Sequence, residues 1–189
     1  MKIDTLNDIV SLYARWGNVR YSEAITQTEH AVQCARLAEQ DSAGPSLVLA
    51  ALLHDIGHLV DLDLKDGHEI TDVDTSHETT GGRVLSGVMP VSVRNPIVLH
   101  VKAKRWLCSQ QKGYFDSLSP ASINSLRLQG GPYSYEEAER FSALPGFDDA
   151  IALRLWDDIG KIPDWGGDIS EFEEILSHYF GLLDARATP

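Results

Sequence analysis

His30, the adjacent pair His54 and Asp55, and then His77, His100 and Asp157 are the residues of this 189-residue sequence whose types and spacing could do chemistry. Imidazole nitrogens combined with carboxylate oxygens suit iron, manganese or zinc better than calcium. A lone histidine at a helix end is ordinarily a partner of the helix dipole and nothing more. Adjacency alters that reading, because neighbouring helix residues differ by about 100° in azimuth and both can reach one ion. With His30 and Asp157 supplied by flanking helices, His54 and Asp55 would complete a four-ligand site inside a helical bundle. His77 and His100 would then supply a second metal ion, with Asp55 bridging the pair.

Such a site needs helices to hold it. Apolar residues recur at three- and four-residue spacing and Val/Ile alternation is scarce, which predicts an all-α fold. A first helix is expected over Leu6 to Arg15, and a second from about Tyr21 to Gln40 carries His30. Pro45 opens a third that brings His54 and Asp55 to its end near Ile56 and Gly57. Residues 61 to 75 are acidic and aperiodic, a surface loop. A short helix from Ser76 to about Val88 follows, then one over Val91 to Leu107, where Asn95-Pro96 marks either the start or a kink. Ser119-Pro120 begins a helix that Gly130-Gly131-Pro132 stops. Ser134 with Glu137, and Ser170 with Glu173, match capping boxes for helices running to about Phe141 and Leu183. Between them, Phe147 to Ile159 forms an amphipathic helix carrying Asp157. Nothing resembles an interdomain linker, so residues 1–189 are read as a single domain with its metal-site core at about 21–161.

Composition removes several function classes. Lys plus Arg is 16 and Asp plus Glu is 28, a net charge of −12, which repels phosphodiester backbones and argues against a nucleic-acid partner. Cys34 and Cys108 are too few for a disulfide framework and read as free thiols of a reducing cytoplasm. The longest apolar run, Leu47 to Leu53, is far too short for a membrane span, and the N-terminal residues lack an apolar signal core. A cytoplasmic protein without a membrane partner is expected.

The flanks of these residues are informative. They include Glu23-Ala24-Ile25 and Gln27 before Glu29-His30, Leu52-Leu53-His54-Asp55-Ile56-Gly57-His58, and His100-Val101-Lys102-Ala103-Lys104-Arg105. Further on come Gln129-Gly130-Gly131-Pro132 and Arg154-Leu155-Trp156-Asp157. Over roughly Tyr21 to Lys161 the chain resembles the HD-domain metalloproteins, and within them the mixed-valent diiron oxygenases that cleave the carbon–phosphorus bond of 1-hydroxy-2-aminoethylphosphonates. That resemblance implies a single all-α HD-domain bundle with two iron ions, Fe(II)/Fe(III), in its core, and O₂ as cosubstrate. It puts His30, His54, Asp55 and Asp157 on one iron, with His77, His100 and the bridging Asp55 on the other. It implies that the substrate is a small 1-hydroxyphosphonate supplied by an upstream hydroxylase. The pattern is nearest to members acting on (R)-1-hydroxy-2-(trimethylammonio)ethylphosphonate, which yields glycine betaine and phosphate; the alternative is 2-amino-1-hydroxyethylphosphonate, which yields glycine.

His58, Lys104, Ser122 and Arg154 fall where the family holds the phosphonate, and Glu23 where it meets the substrate's cationic nitrogen. Spacing makes sense of these positions. His58 is four residues after His54, Lys104 four after His100, and Arg154 three before Asp157, so each shares a helical face with a ligand if the helix persists. Glu23, seven before His30, would lie two turns away on that face. Family members acting on the primary amine carry a Tyr three residues before this Glu, where it can occupy the open iron position. Arg20 stands there in this chain, and Tyr21 follows it. A quaternary ammonium favours aromatic faces, for which Tyr21, Trp106, Tyr133 and Trp165 are available. His68 and His178 read as solvated, Trp156 as core and Cys34 as a buried filler. An HD-domain phosphohydrolase using redox-inert ions and activated water is the rival reading. A metal- or nucleotide-binding regulatory module without turnover is the third.

Overall fold

In the computed structural model, residues 2–21, 25–68, 73 and 75–187 are described, and every regular element among them is helical. The order is α1 (Leu6–Trp16), α2 (Gln27–Gln40), α3 (Pro45–Leu53), α4 (Ile56–Leu64), α5 (His77–Val84), a 3₁₀ turn (Leu85–Gly87) and α6 (Val91–Gln110). Then follow α7 (Tyr114–Ser117), α8 (Pro120–Leu128), α9 (Tyr135–Ser142), α10 (Phe147–Ile159) and α11 (Ile169–Ala187). None of these helices is long and apolar enough to cross a membrane.

The centre is α3, whose Val48 to Leu53 are fully buried. A helix apolar on every side must be covered on every side, and α2, α6, α10 and α11 pack around it. The main core joins Leu12 and Tyr13 of α1, Val32 and Ala35 of α2, Ile56 and Leu59 of α4, Ile97 of α6, Leu153 of α10 and Phe172 of α11. Two smaller clusters, around Phe141 and Leu107, seat the α6–α10 region.

Several boundaries differ from the sequence expectation. The second helix begins at Gln27, not near Tyr21. Thr26 accepts from the Glu29 amide while the Glu29 side chain accepts from the Thr26 amide, a capping box that stops the helix there. Tyr21 instead lies outside any helix, its N–H donating to the Ile25 carbonyl, and Arg20 pairs antiparallel with Thr26. The two-turn spacing of Glu23 from His30 therefore has no helix to act through, and Glu23 itself lies outside the described residues. Helix α3 ends at Leu53, with His54 and Asp55 in the turn before α4. The expected loop from residue 61 is helical as far as Leu64, because Leu59, Val60 and Leu62 bury one face.

Pro96 does not mark the start of the helix: α6 begins at Val91 and continues past it, with Val93, Pro96, Ile97 and His100 buried. Packing of this face outweighs the lost backbone hydrogen bond. Ser134 and Glu137 do form the expected capping box. Ser170 does not cap α11; Asp168 accepts from the Ser170 and Glu171 amides.

Candidate dinuclear metal centre and its cavity

Three helices and one turn aim imidazoles at two neighbouring points. His30 Nε2 and His54 Nε2 lie 3.2 Å apart, and His77 Nε2 and His100 Nε2 lie 3.1 Å apart. The opposite ring nitrogens of three of these residues meet backbone carbonyls: His30 Nδ1 with Gly160 at 2.6 Å, His54 Nδ1 with Ala51 at 2.9 Å, and His100 Nδ1 with Ile97 at 2.7 Å. Such a partner assigns the proton to Nδ1 and turns the Nε2 lone pair toward the centre. Two lone pairs facing at this distance repel unless a cation or a proton lies between them.

The carboxylates complete both groups. Asp55 Oδ2 is 3.4 Å from His54 Nε2 and 3.6 Å from His30 Nε2, while its Oδ1 is 3.3 Å from His77 Nε2 and 3.9 Å from His100 Nε2. One carboxylate thus gives an oxygen to each pair. Asp157 Oδ1 adds to the first group, 3.3 Å from His30 Nε2. Asp55 Oδ2 and Asp157 Oδ1 are both buried without a hydrogen-bond partner, the latter with only the Lys161 ammonium 3.4 Å away, and burying such oxygens is costly unless further positive charge is bound. The donor set, the orphaned oxygens and the opposed nitrogens all fit two divalent or trivalent ions bridged by Asp55.

Electrostatics agree. Burial alone would lower the His54 pKa, but Asp55, aided by Asp157, lifts it to about 9, so a proton takes the cation's place in the metal-free chain. Burial would raise the Asp55 carboxyl, yet His54, His77 and His58 hold it well below the usual range. Cys34 Sγ is 3.8 Å from His30 Nδ1 and completes a geometric cluster with His30 and His54. Burial drives its thiol pKa far up, and it donates to the Trp156 carbonyl. It is a protonated filler, in keeping with the sequence reading.

Beside this centre opens a cavity of about 620 Å³, lined by Asp55, His77, His100 and Asp157. Its walls also hold His58, Lys104, Ser122, Arg154 and Tyr21, so these five anticipated residues do converge. The break after α3 does not remove His58, because α4 brings its Nε2 to 3.9 Å from Asp55 Oδ1 and stacks its ring on His77 at 4.0 Å. Lys104 is 3% exposed, and its Nζ donates to Ser125 Oγ at 2.8 Å. Burial, reinforced by Arg154, lowers the Lys104 pKa to about 7. Tyr21 stacks on His30 with ring centroids 4.2 Å apart, and burial with the Asp55 charge keeps its phenol neutral.

Arg154 has more partners than sequence suggested. Its Nη1 donates to Asp157 Oδ2 at 2.7 Å, its Nη2 to Asp158, and its Nε to Tyr114 Oη at 3.0 Å. Sequence reasoning missed Tyr114, Asp158, Ser125 and Lys161, whose Nζ is 3.4 Å from Asp157 Oδ1. The i,i+4 spacing of Arg154 to Asp158 and of Asp157 to Lys161 was the available signal. Three further cavity-lining residues bear buried acceptor oxygens without partners, Gln27 Oε1, Asp61 Oδ2 and Gln129 Oε1. Trp106, Tyr133 and Trp165, anticipated as aromatic contacts, lie elsewhere, against Phe147, Phe141 and Arg36. His68 and His178 are exposed, and Trp156 is buried with its indole N–H on Asp41.

A helical bundle presenting histidines and aspartates from these positions defines the HD-domain class, and the HD domain family matches residues 28–114. Hydroxymethylphosphonate dioxygenase of Gimesia maris is 39% identical over 181 residues, covering 93% of this chain and 90% of the relative. The glycine-betaine-forming [1-hydroxy-2-(trimethylamino)ethyl]phosphonate dioxygenase of Leisingera caerulea is 39% identical over 157 residues, covering 82% and 80%. The chain belongs to this family of phosphonate-cleaving HD-domain oxygenases, as the sequence resemblance implied.

Proposed function

We propose that this protein catalyses O₂-dependent cleavage of the carbon–phosphorus bond of a small 1-hydroxyphosphonate, releasing phosphate and a carboxylate. The observation carrying this reading is the pair of opposed imidazoles bridged by Asp55 at the wall of a cavity that also holds Lys104, Ser122 and Arg154. His30, His54, Asp55 and Asp157 would hold one iron, and His77, His100 and Asp55 the other. When bound, the iron pair supplies O₂ activation and the hydrogen abstraction at C1. Both added oxygen atoms come from O₂, which also takes up the electrons removed from C1, so no external reductant enters.

The chain's own part is binding and orientation. Lys104 offers a point charge and Ser122 a hydroxyl to the phosphonate oxygens, while neutral His58 adds a hydrogen bond. Arg154 holds Asp157 in place and faces the same anion. These groups neutralise the phosphonate and keep C1 beside the Asp55 bridge. The substrate reaches this site from a reaction that hydroxylates the carbon bearing phosphorus. Of its possible substituents, the resemblance favours trimethylammonio and keeps the primary amine as the alternative.

Iron-loaded protein should release phosphate from 1-hydroxyphosphonates only when O₂ is present, with the matching carboxylate in equal amount. Equal release with and without O₂, or hydrolysis of phosphate esters instead, would overturn the proposal in favour of a phosphohydrolase.

A further inference from the structure

The four imidazoles of the centre are not backed alike. Behind His30, His54 and His100, each Nδ1 meets a backbone carbonyl, at 2.6, 2.9 and 2.7 Å respectively. His77 differs, because its Nδ1 has the carboxylate of Glu78 beside it, with Oε2 3.7 Å away. That separation is longer than a hydrogen bond, yet a charge still acts strongly across it. Glu78 Oε1 accepts from Thr79 Oγ1 at 3.4 Å, whereas Oε2 is buried without a hydrogen-bond partner. When His77 gives Nε2 to an ion, the neutral ring must carry its proton on Nδ1. That N–H is the donor the orphaned Oε2 lacks.

Glu78 also stands in the first turn of α5, where a carboxylate interacts with the helix dipole. A dipole partner gains nothing from burial, and this side chain is only 15% exposed. The charge inventory of the two metal positions gives it a second task. Asp157 and one oxygen of Asp55 serve the His30 and His54 position, while the His77 and His100 position has only the other Asp55 oxygen. Glu78 adds negative charge behind the position that is poorer in it. A carboxylate behind a ligating imidazole fixes the ring and makes it a stronger donor to the metal.

We infer that Glu78 is a positioning residue for His77, which orients the ring and lowers the reduction potential of the ion held by His77, His100 and Asp55. This rests on the two-ion site proposed above and on no step of the reaction. Glu78 touches neither the ion nor the substrate; it acts through the imidazole.

The test has two readouts that need no turnover. Fe(II) is titrated anaerobically into metal-free protein by calorimetry, with His77→Ala identifying the binding step of the second ion. Iron-loaded protein is then titrated potentiometrically and followed by electron paramagnetic resonance. Glu78→Ala removes acceptor and charge together, and should weaken the second step by about tenfold or more while leaving the first unchanged. Glu78→Gln keeps an acceptor for Nδ1 but not the charge. It should retain both ions and raise one midpoint potential by the equivalent of about tenfold in the equilibrium, about 59 mV for one electron. An unchanged potential in Glu78→Gln, or equal weakening of both ions in Glu78→Ala, would overturn the inference. Protein that binds both ions but releases no phosphate defeats the reaction reading alone, and the same two readouts still decide the role of Glu78.

Discussion

Arg154 Nη1 donates to Asp157 Oδ2 at 2.7 Å across one turn of α10, leaving Asp157 Oδ1 facing the imidazole of His30. One carboxylate oxygen therefore serves an internal cation, and the other is left to face the candidate metal centre. Burial would raise the Asp157 carboxyl, and Arg154, with Lys161, holds it well below the usual range. Arg154→Met would leave Asp157 and Asp158 without that partner, and metal-free protein should lose about 3 kcal/mol in urea unfolding, as for a broken buried pair. Metal-loaded protein should lose less, because a bound ion still neutralises Asp157. Arg154→Lys should not restore the loss, since an ammonium cannot span Asp157, Asp158 and Tyr114. Equal losses with and without metal would show that Asp157 does not serve an ion.

The two imidazole pairs predict a stepwise metal count. His77→Ala or His100→Ala should bring the iron content, measured by elemental analysis, down toward one ion per chain, because the His30, His54 and Asp157 group stays whole. Asp55→Ala should remove both ions. Metal addition should raise the melting temperature of the wild type through binding to the folded state alone. Two retained ions in both single histidine variants would contradict the ligand assignment.

Among the candidate ligands, His54 and Asp55 were legible because they are adjacent, whereas His30, His77, His100 and Asp157 were legible through the family pattern that they match with that pair. The turn at His54 and Asp55 was not legible: apolar residues continue through Leu53, Ile56, Leu59 and Val60 as though one helix ran unbroken. The start of α2 was readable from Thr26 and Glu29, but the apolar pattern upstream masked it. Gln27, Asp61 and Lys161 look in sequence like ordinary polar residues on helix surfaces. Only packing of α2 and α4 against the other helices turns Gln27 and Asp61 toward a cavity, and Lys161 reaches it from just past the end of α10. The anticipated aromatic contacts failed for the same reason in reverse, as Trp106 and Tyr133 found partners in the α6–α9–α10 cluster.

Gly57 makes the approach of α5 to α4 possible. A Cβ there would lie 2.0 Å from the His77 carbonyl oxygen and 2.9 Å from His77 Cα, both backbone atoms that cannot rotate away. Gly57→Ala must push α5 outward and carry His77 with it. The cost should be about 3 kcal/mol in chemical unfolding, at the upper end for overpacking. The iron held by His77 and His100 should be the one lost, leaving about one ion per chain by elemental analysis. Unchanged stability and full metal content would mean that α5 is not held against α4 in this way.

Lys104 gives the pH dependence its sign. Burial lowers its pKa to about 7, so the free protein carries the ammonium below that pH and a neutral amine above it. A phosphonate anion needs the charged form, and binding above pH 7 requires a proton to be taken up. Apparent affinity should therefore fall as pH rises from 7 to 9, by up to about tenfold per unit. The substrate's own second ionisation runs the other way, since it gains negative charge over the same range, and a control separates the two. Lys104→Arg keeps a charge at every pH and should remove the alkaline fall without the neutral-side loss that Lys104→Met shows throughout. An alkaline fall that persists in Lys104→Arg would assign the titration to another group and leave Lys104 with only its hydrogen bond to Ser125.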